Sequence, residues 1–353
     1  MSDLAARFRR LIAAHGPMPV AHFMGESNAR YYASRDPLGA PKEAGPKEPS
    51  GGDFVTAPEI SQIFGELVGL WLADVWDRAG RPSGPVYAEL GPGRGTLASD
   101  ALRAMAAGAL RPAAHFVEGS PTLRALAARA VPDARFHADA TGLPEDAPLL
   151  LVANEFLDAL PIRQLVRAET GWRERMVSLA DDRFIFAAGN QPVEVGFEGQ
   201  VGTIVEICPG AAAIVEEIAG RLMRQGGTAL FVDYGHLKPR TGSTLQAVRA
   251  HRHVDPLVHP GEADMTAHVD FAALADIASR AGCRVQTATQ GNWLTAMGID
   301  LRADALARAA PDHAAAITAA HARLVSGEQM GEMFKVMALS APQWPAPAGF
   351  AGG

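Results

Sequence analysis

Apolar positions along the chain recur with two periods. Leu4, Phe8, Leu11 and Ile12 share one face of a helix that Gly16-Pro17 ends. Ile60, Ile63, Phe64, Leu67, Leu70 and Trp71 repeat that spacing and predict a second amphipathic helix. Thr56 and Glu59 stand before it at capping-box separation, and Pro58 suits a first helical turn. Between the two helices, Ser34 to Asp53 is dominated by Pro, Gly, Lys and Glu and reads as an exposed, mobile loop.

From Pro85 the period alternates between strand and helix. Strands are expected at Val86–Leu90, His115–Glu118, Arg135–His137, Leu149–Ala153 and Thr228–Asp233. Helices are expected at Leu97–Ala107, Pro121–Ala130 and Ala211–Gln225. The unbroken apolar run Leu149–Ala153 suits a strand covered on both faces of a parallel sheet. The alternation implies an α/β doubly wound, Rossmann-like sheet with right-handed crossovers.

Two stretches interrupt this rhythm. Arg163–Val166, Arg173–Leu179 and Phe184–Phe186 alternate like β-hairpins, and 236–270, rich in His, Pro and Gly, reads as a long helical-loop lid. The expected organisation is an N-terminal helical cap and loop over 1–84, then a core over 85–340. Insertions fall at about 162–200 and 236–270, and a Pro/Gly/Ala-rich tail at 341–353.

Composition narrows the class. With 353 residues, 48% hydrophobic and 20% charged, the chain is an ordinary globular protein rather than a disordered one. The net charge of −7 gives no general attraction for nucleic acid. Apolar runs are too short to span a membrane, and the Arg-bearing first helix contains Asp3, unlike a transit peptide. Cys208 and Cys283 are too few for a disulfide framework, so a reducing cytoplasm is expected.

The most informative local motif is Glu89-Leu90-Gly91-Pro92-Gly93-Arg94-Gly95-Thr96, leaving a strand and entering a helix. Glycines there permit a tight turn and close approach of a ligand to the main chain. Thr96 occupies the position where a dinucleotide fingerprint needs Gly, and no Lys stands where a Walker loop needs one. The acidic-x-Gly-x-Gly-x-Gly form matches the methyltransferase version, with Glu89 facing the ammonium of S-adenosylmethionine. Glu118 ends the second strand, where a carboxylate accepts from both ribose hydroxyls. Asp139 follows the third strand and is placed to reach the adenine amino group.

Several separated segments then act together: Gly52–Glu66, Glu89–Leu97, Asn154–Pro161, Asp233–Gly235, Ala263–Phe271 and Met330–Met337. On these the chain, from about Arg7 to Leu339, resembles the MidA-like family of class I S-adenosylmethionine-dependent methyltransferases. That family includes a mitochondrial protein-arginine methyltransferase required for assembly of respiratory complex I. The resemblance implies the class I fold, S-adenosylmethionine as cofactor and a protein arginine as acceptor, with a complex I subunit as one substrate.

A guanidinium acceptor needs carboxylates that orient its planar fork. Asn154, Glu155 and Asp158 lie just past the fourth strand, at the edge where open α/β sheets bind ligands. Glu155 and then Asp158 are the leading acceptor-side candidates, with Asn154 on the cofactor side. Glu59, Tyr234 and His268 are further acceptor-binding candidates, and Asp264 a further catalytic one. Structure alone also accounts for several of them: Asn154 and Asp158 as loop caps, Glu59 as the capping-box acid, Tyr234 as a packing residue. No metal is expected, because His251, His253, His259 and His268 lack compact ligand spacing. A small-molecule methyltransferase and a non-catalytic, cofactor-binding assembly factor are the alternatives; the oligomeric state is not readable.

Overall fold

The computed structural model describes residues 3–34, 55–196 and 198–350, so most of the expected loop Ser34–Asp53 lies outside the described residues. The chain divides into two compact units. One comprises Val55–Leu157, Ala213–Leu237 and Asp270–Gly353; the other comprises Met1–Phe54, Asp158–Ala212 and Lys238–Val269.

The first unit holds the larger sheet. Short helix α1 (Ala57–Ile60) and α2 (Gln62–Arg78) precede β1 (Val86–Leu90), α3 (Thr96–Ala107), β2 (Ala113–Val117), α4 (Pro121–Ala130), β3 (Arg135–His137) and β4 (Leu149–Asn154). The later elements are α5 (Pro209–Gln225), which begins in the other unit, β5 (Gly227–His236), α6 (Phe271–Arg280) and β6 (Arg284–Thr289). Helices α7 (Gln290–Ala296), α8 (Ile299–Ala309), α9 (Ala314–Val325) and α10 (Met330–Met333) lead into β7 (Phe334–Ser340).

The strands run β3-β2-β1-β4-β5-β7-β6 across the sheet. From β3 to β5 every pair is parallel. β7 is antiparallel to both its neighbours. Every residue of β1 and β4 is buried, as strands covered on both faces must be. The strands β6 and β7 add an edge that the strand–helix alternation did not disclose.

One boundary differs from the sequence reading. The helix placed in an N-terminal cap ending at residue 84 belongs to the sheet unit: α2 buries Ile63, Phe64, Val68, Trp71 and Leu72 fully in its core. Twelve of its residues are buried, so one covered face would not satisfy it. Gly65 and Gly69 bring its backbone against α3, where a Cβ on Gly69 would lie 2.3 Å from the Ala101 carbonyl oxygen. The Pro/Gly/Ala-rich end packs on the sheet unit: Ala341 and Trp344 are buried, and Trp71 Nε1 donates to the Ala348 carbonyl at 3.0 Å.

The capping box is also corrected. Thr56 makes no side-chain cap bond, and the helix breaks at Ser61, whose hydroxyl accepts from Ile63 N–H at 3.3 Å to start α2 afresh. Glu59 is thereby released for another partner.

The second unit gathers helices Asp3–His15 and Val20–Ser34 with both insertions. Its core contains Leu4, Phe8, Ile12, Phe23, Met24, Val177 and Met265. The hairpin expectation holds as a five-stranded sheet centred on Gly171–Ala180 and Arg163–Ala168. The stretch read as a loop contains a three-stranded antiparallel sheet, with Gln246–Arg249 between Arg252–Val254 and Asp264–Thr266.

Candidate active site

Strands β1 and β4 are neighbours, but the chain leaves them for opposite sides: β1 leads through α3 to β2, and β4 leads on to β5. The carboxyl ends of such a pair bound the crevice in which open α/β sheets hold ligands. The glycine motif follows β1 and Asn154-Glu155 ends β4, so the topology joins the two segments singled out by their residues.

Gly91, Gly93 and Gly95 have φ of +65°, +56° and +81°, the region glycine enters without penalty. Gly91 also has no room for a side chain, since a Cβ would lie 2.7 Å from Phe156 Cδ2. The Gly95 N–H donates to the Pro92 carbonyl at 2.8 Å, and the Gly95 carbonyl accepts from Ser99 to begin α3. Glu59 meets this loop from outside: Thr96 Oγ donates to its Oε1 at 2.5 Å, and Arg94 lies 4.0 Å from its Oε2.

Four polar candidates follow the strands of this sheet or lie on them. Glu89 is buried, its Oε2 accepting from the Tyr87 hydroxyl at 2.6 Å. Burial pushes its carboxyl up to about 7, against the pull of that hydrogen bond. Glu118 accepts from Ser120 N–H at 2.7 Å and is raised by burial more than its backbone partners lower it. Asn154 donates from Nδ2 to Glu155 Oε1 at 3.2 Å, while its buried Oδ1 has no partner among the described residues. Asp139 is exposed and lies below the usual range, first through the Thr141 hydroxyl and then the Thr141 N–H, at 2.5 and 2.9 Å on Oδ1. It caps a 3-10 turn, Ala140–Gly142.

Glu155 is the most constrained of the candidates. Its φ is +51°, a conformation costly for a residue with a Cβ. Its Oε1 accepts from Ala57 N–H at 2.8 Å as well as from Asn154. Burial foremost, and the nearby Asp233 charge, push its carboxyl up to about 8 although both hydrogen bonds and the Arg323 charge oppose this.

Asp233 holds Glu155's loop in place, a role the motif at 233–235 did not reveal. It is buried, and its Oδ2 accepts from Phe156 and Leu157 N–H at 3.1 and 2.8 Å. Its Oδ1 accepts from Tyr234 N–H at 2.9 Å. The Tyr234 hydroxyl donates to Met333 Sδ at 3.5 Å, and its ring packs edge-on to Phe334. Both strand ends thus converge on one short loop.

The remaining candidates, Asp158, Asp264 and His268, belong to the second unit. Asp264 is buried and accepts from the Tyr32 hydroxyl at 2.7 Å. Desolvation, then the charges of Asp264 and Asp158, raise the Tyr32 phenol well above its ordinary value. The Asp158 carbonyl accepts from Ala267 N–H at 3.0 Å. His268 donates its N–H to Thr244 Oγ at 2.9 Å, and its Nδ1 lies 3.4 Å from Arg240 Nη1. No group of three or more His, Cys, Asp or Glu among the described residues would hold a metal ion.

The sheet unit's crevice suits S-adenosylmethionine. Glu89 and Glu155 both stay raised, Glu89 with only the Tyr87 hydroxyl opposing its burial and Glu155 despite the opposing Arg323 charge. The cofactor carries an ammonium and a sulfonium, which favour the ionised form of both. The unpartnered Asn154 Oδ1 adds an acceptor where a ligand donor would satisfy it.

Comparison with known proteins agrees. A model of S-adenosyl-L-methionine-dependent methyltransferases matches residues 67–289. The mitochondrial protein arginine methyltransferase NDUFAF7 of Danio rerio is 36% identical, over 92% of this chain and 83% of its own. The human NDUFAF7 is 32% identical, over 93% and 81%. A crystal structure from Burkholderia thailandensis with S-adenosyl-homocysteine bound is 30% identical. It superposes with a TM-score of 0.83, covering 99% of this chain and 95% of that one. With the sheet order, the glycine loop and the acidic crevice already in place, these likenesses settle its kinship: the chain belongs to the family of S-adenosyl-L-methionine-dependent methyltransferases, class I in fold.

Proposed function

We propose that the protein methylates an arginine nitrogen of a protein partner, a subunit of respiratory complex I being the first substrate to test. The observation that carries this reading is Glu155, a carboxyl that burial holds raised against two hydrogen bonds and the Arg323 charge, just past the carboxyl end of β4. The NDUFAF7 proteins, which most of the chain matches, are named protein arginine methyltransferases.

S-adenosylmethionine, when bound, supplies an electrophilic methyl group on a sulfonium. Glu89 would face its ammonium, Glu118 its ribose hydroxyls, Asp139 its adenine, and Asn154 the reacting end. Glu155 then has two tasks. Ionised, it orients the acceptor guanidinium through charge-assisted hydrogen bonds and favours electron density on the attacking nitrogen. With a carboxyl near 8 it is also matched to take the proton that the nitrogen sheds after transfer. Tyr234 lines the acceptor side. We assign the reaction to the cytoplasm, where the two free cysteines would stay reduced. No helix among the described residues is long and apolar enough to cross a membrane.

The test is transfer of labelled methyl into extract from a deletion strain, followed by peptide mapping. Label on arginine, lost with Glu155→Gln while S-adenosylhomocysteine still binds, is the expected result. Label on lysine, or only in small molecules, overturns the arginine assignment. Full activity of Glu155→Gln overturns that residue's role.

A further inference from the structure

We infer that Arg221 is a positioning residue for the cofactor site, acting through the turn that presents Asp139; this rests on the reading that Asp139 reaches the adenine amino group. Arg221 sits on α5 with no solvent exposure. Both terminal nitrogens of its guanidinium serve one stretch of chain, where Nη2 also lies 3.4 Å from Glu145 Oε1. Nη2 donates to the Thr141 carbonyl at 2.9 Å, and Nη1 to the Leu143 and Pro144 carbonyls at 3.0 and 3.4 Å. Nε donates to Glu217 at 2.7 Å, one turn earlier on the same helix. Gln225, one turn later, donates to the Pro144 and Ala147 carbonyls at 3.2 and 2.5 Å. The face of α5 is therefore a clamp on residues 141–147.

This clamp supplies what the segment lacks. A 3-10 turn followed by irregular chain leaves carbonyls without secondary-structure partners, and buried carbonyls must find donors elsewhere. Burying a guanidinium is costly, so its use here reflects geometry that an apolar side chain would not impose. The turn so held is the one that Asp139 caps. Both Thr141 bonds fall on Oδ1 of Asp139, and Oδ2 takes part in neither. With Thr141 fixed by Arg221 through its carbonyl and by Asp139 through its N–H and hydroxyl, the Asp139 carboxylate has a defined direction. Beneath the turn, Gly142 lies so close to His137 that a Cβ would sit 3.0 Å from Nδ1, and the turn has little room to settle inward once the clamp is cut.

The test compares S-adenosylhomocysteine with S-inosylhomocysteine by calorimetry. The inosyl analogue has a carbonyl in place of the adenine amino group, so it accepts where Asp139 needs a donor. The natural protein should prefer the adenosyl ligand by about tenfold or more, the scale of one hydrogen bond to a charged group. Asp139→Ala should reduce that preference to about threefold or less. Arg221→Lys and Arg221→Met should do the same, because a lysine ammonium lacks the planar fork that spans these carbonyls. Arg221→Lys decides the matter if the methionine variant does not fold. A lowered melting temperature with the preference intact would make Arg221 merely structural and overturn the inference alone. Preference intact in Asp139→Ala would overturn the Asp139 reading and the inference with it.

Discussion

Cofactor affinity should rise with pH across a window set by two buried acids. Burial pushes Glu89 up to about 7 and Glu155 up to about 8. S-adenosylmethionine carries an ammonium, which favours ionised Glu89, and a sulfonium, which favours ionised Glu155, so binding drives their protons off. At pH 7, Glu155 is about ten parts protonated to one ionised, and ionising it costs about 1.4 kcal/mol, or tenfold in affinity. Between about pH 7 and 8 the association constant should therefore rise up to tenfold per unit, and below 7, where Glu89 must also ionise, up to a hundredfold. The assay is titration of S-adenosylmethionine from pH 5.5 to 8, in two buffers of different ionisation enthalpy that report the protons released. Glu89→Gln and Glu155→Gln should each remove one proton from the slope. The ligand-free protein should show the mirror image. From the ordinary carboxyl value near 4.5 up to the raised folded values, the folded state holds more protons than the unfolded one. Its stability therefore falls as pH rises through that window and levels above about 8. An affinity unchanged from pH 5.5 to 8, or a full slope in both variants, would refute the reasoning.

Gly91→Ala should all but abolish cofactor binding, because φ of +65° and a Cβ 2.7 Å from Phe156 Cδ2 force the loop to shift; calorimetry beside a melting curve separates binding from folding. Asp233→Asn retains one acceptor oxygen and leaves at least one buried N–H on the 156–157 loop or Tyr234 unpaired, a loss of about 1–3 kcal/mol read by denaturant unfolding. Gly69→Ala should destabilise by about 1–3 kcal/mol or more, read the same way, since α2 and α3 must part to admit a methyl group 2.3 Å from Ala101 O.

What the sequence made legible was whatever depends on neighbours along the chain. The buried strands β1 and β4 show as apolar runs, and the glycine loop shows because its positive φ values leave few other residues possible. Three features escaped for physical reasons. Strands of three or four residues at 246–266 are too short to display a period between their His, Pro and Gly neighbours. Glu59 has the spacing of a helix cap, and only the break at Ser61 frees it for Thr96. Asp233 and Arg221 act on residues 76–80 positions away, and no local pattern marks such partners.

The division of the chain bears on how the molecule comes to be folded. The polypeptide passes between the two units at 54/55, 157/158, 212/213, 237/238 and 269/270. Helices Asp3–His15 and Val20–Ser34 leave the ribosome before the rest of their unit, and core partners such as Ala247, Leu257 and Met265 come more than two hundred residues later. At about 5–20 residues per second, their apolar faces wait roughly 10–50 seconds for cover. A nascent chain stalled before about residue 240 would cover those faces only with partners such as Ile162, Val177 and Phe184. Contacts this distant in sequence also slow folding, because loop closure must be met before they stabilise anything. During synthesis the cover over these two helices is therefore completed only when the last segment of their unit arrives.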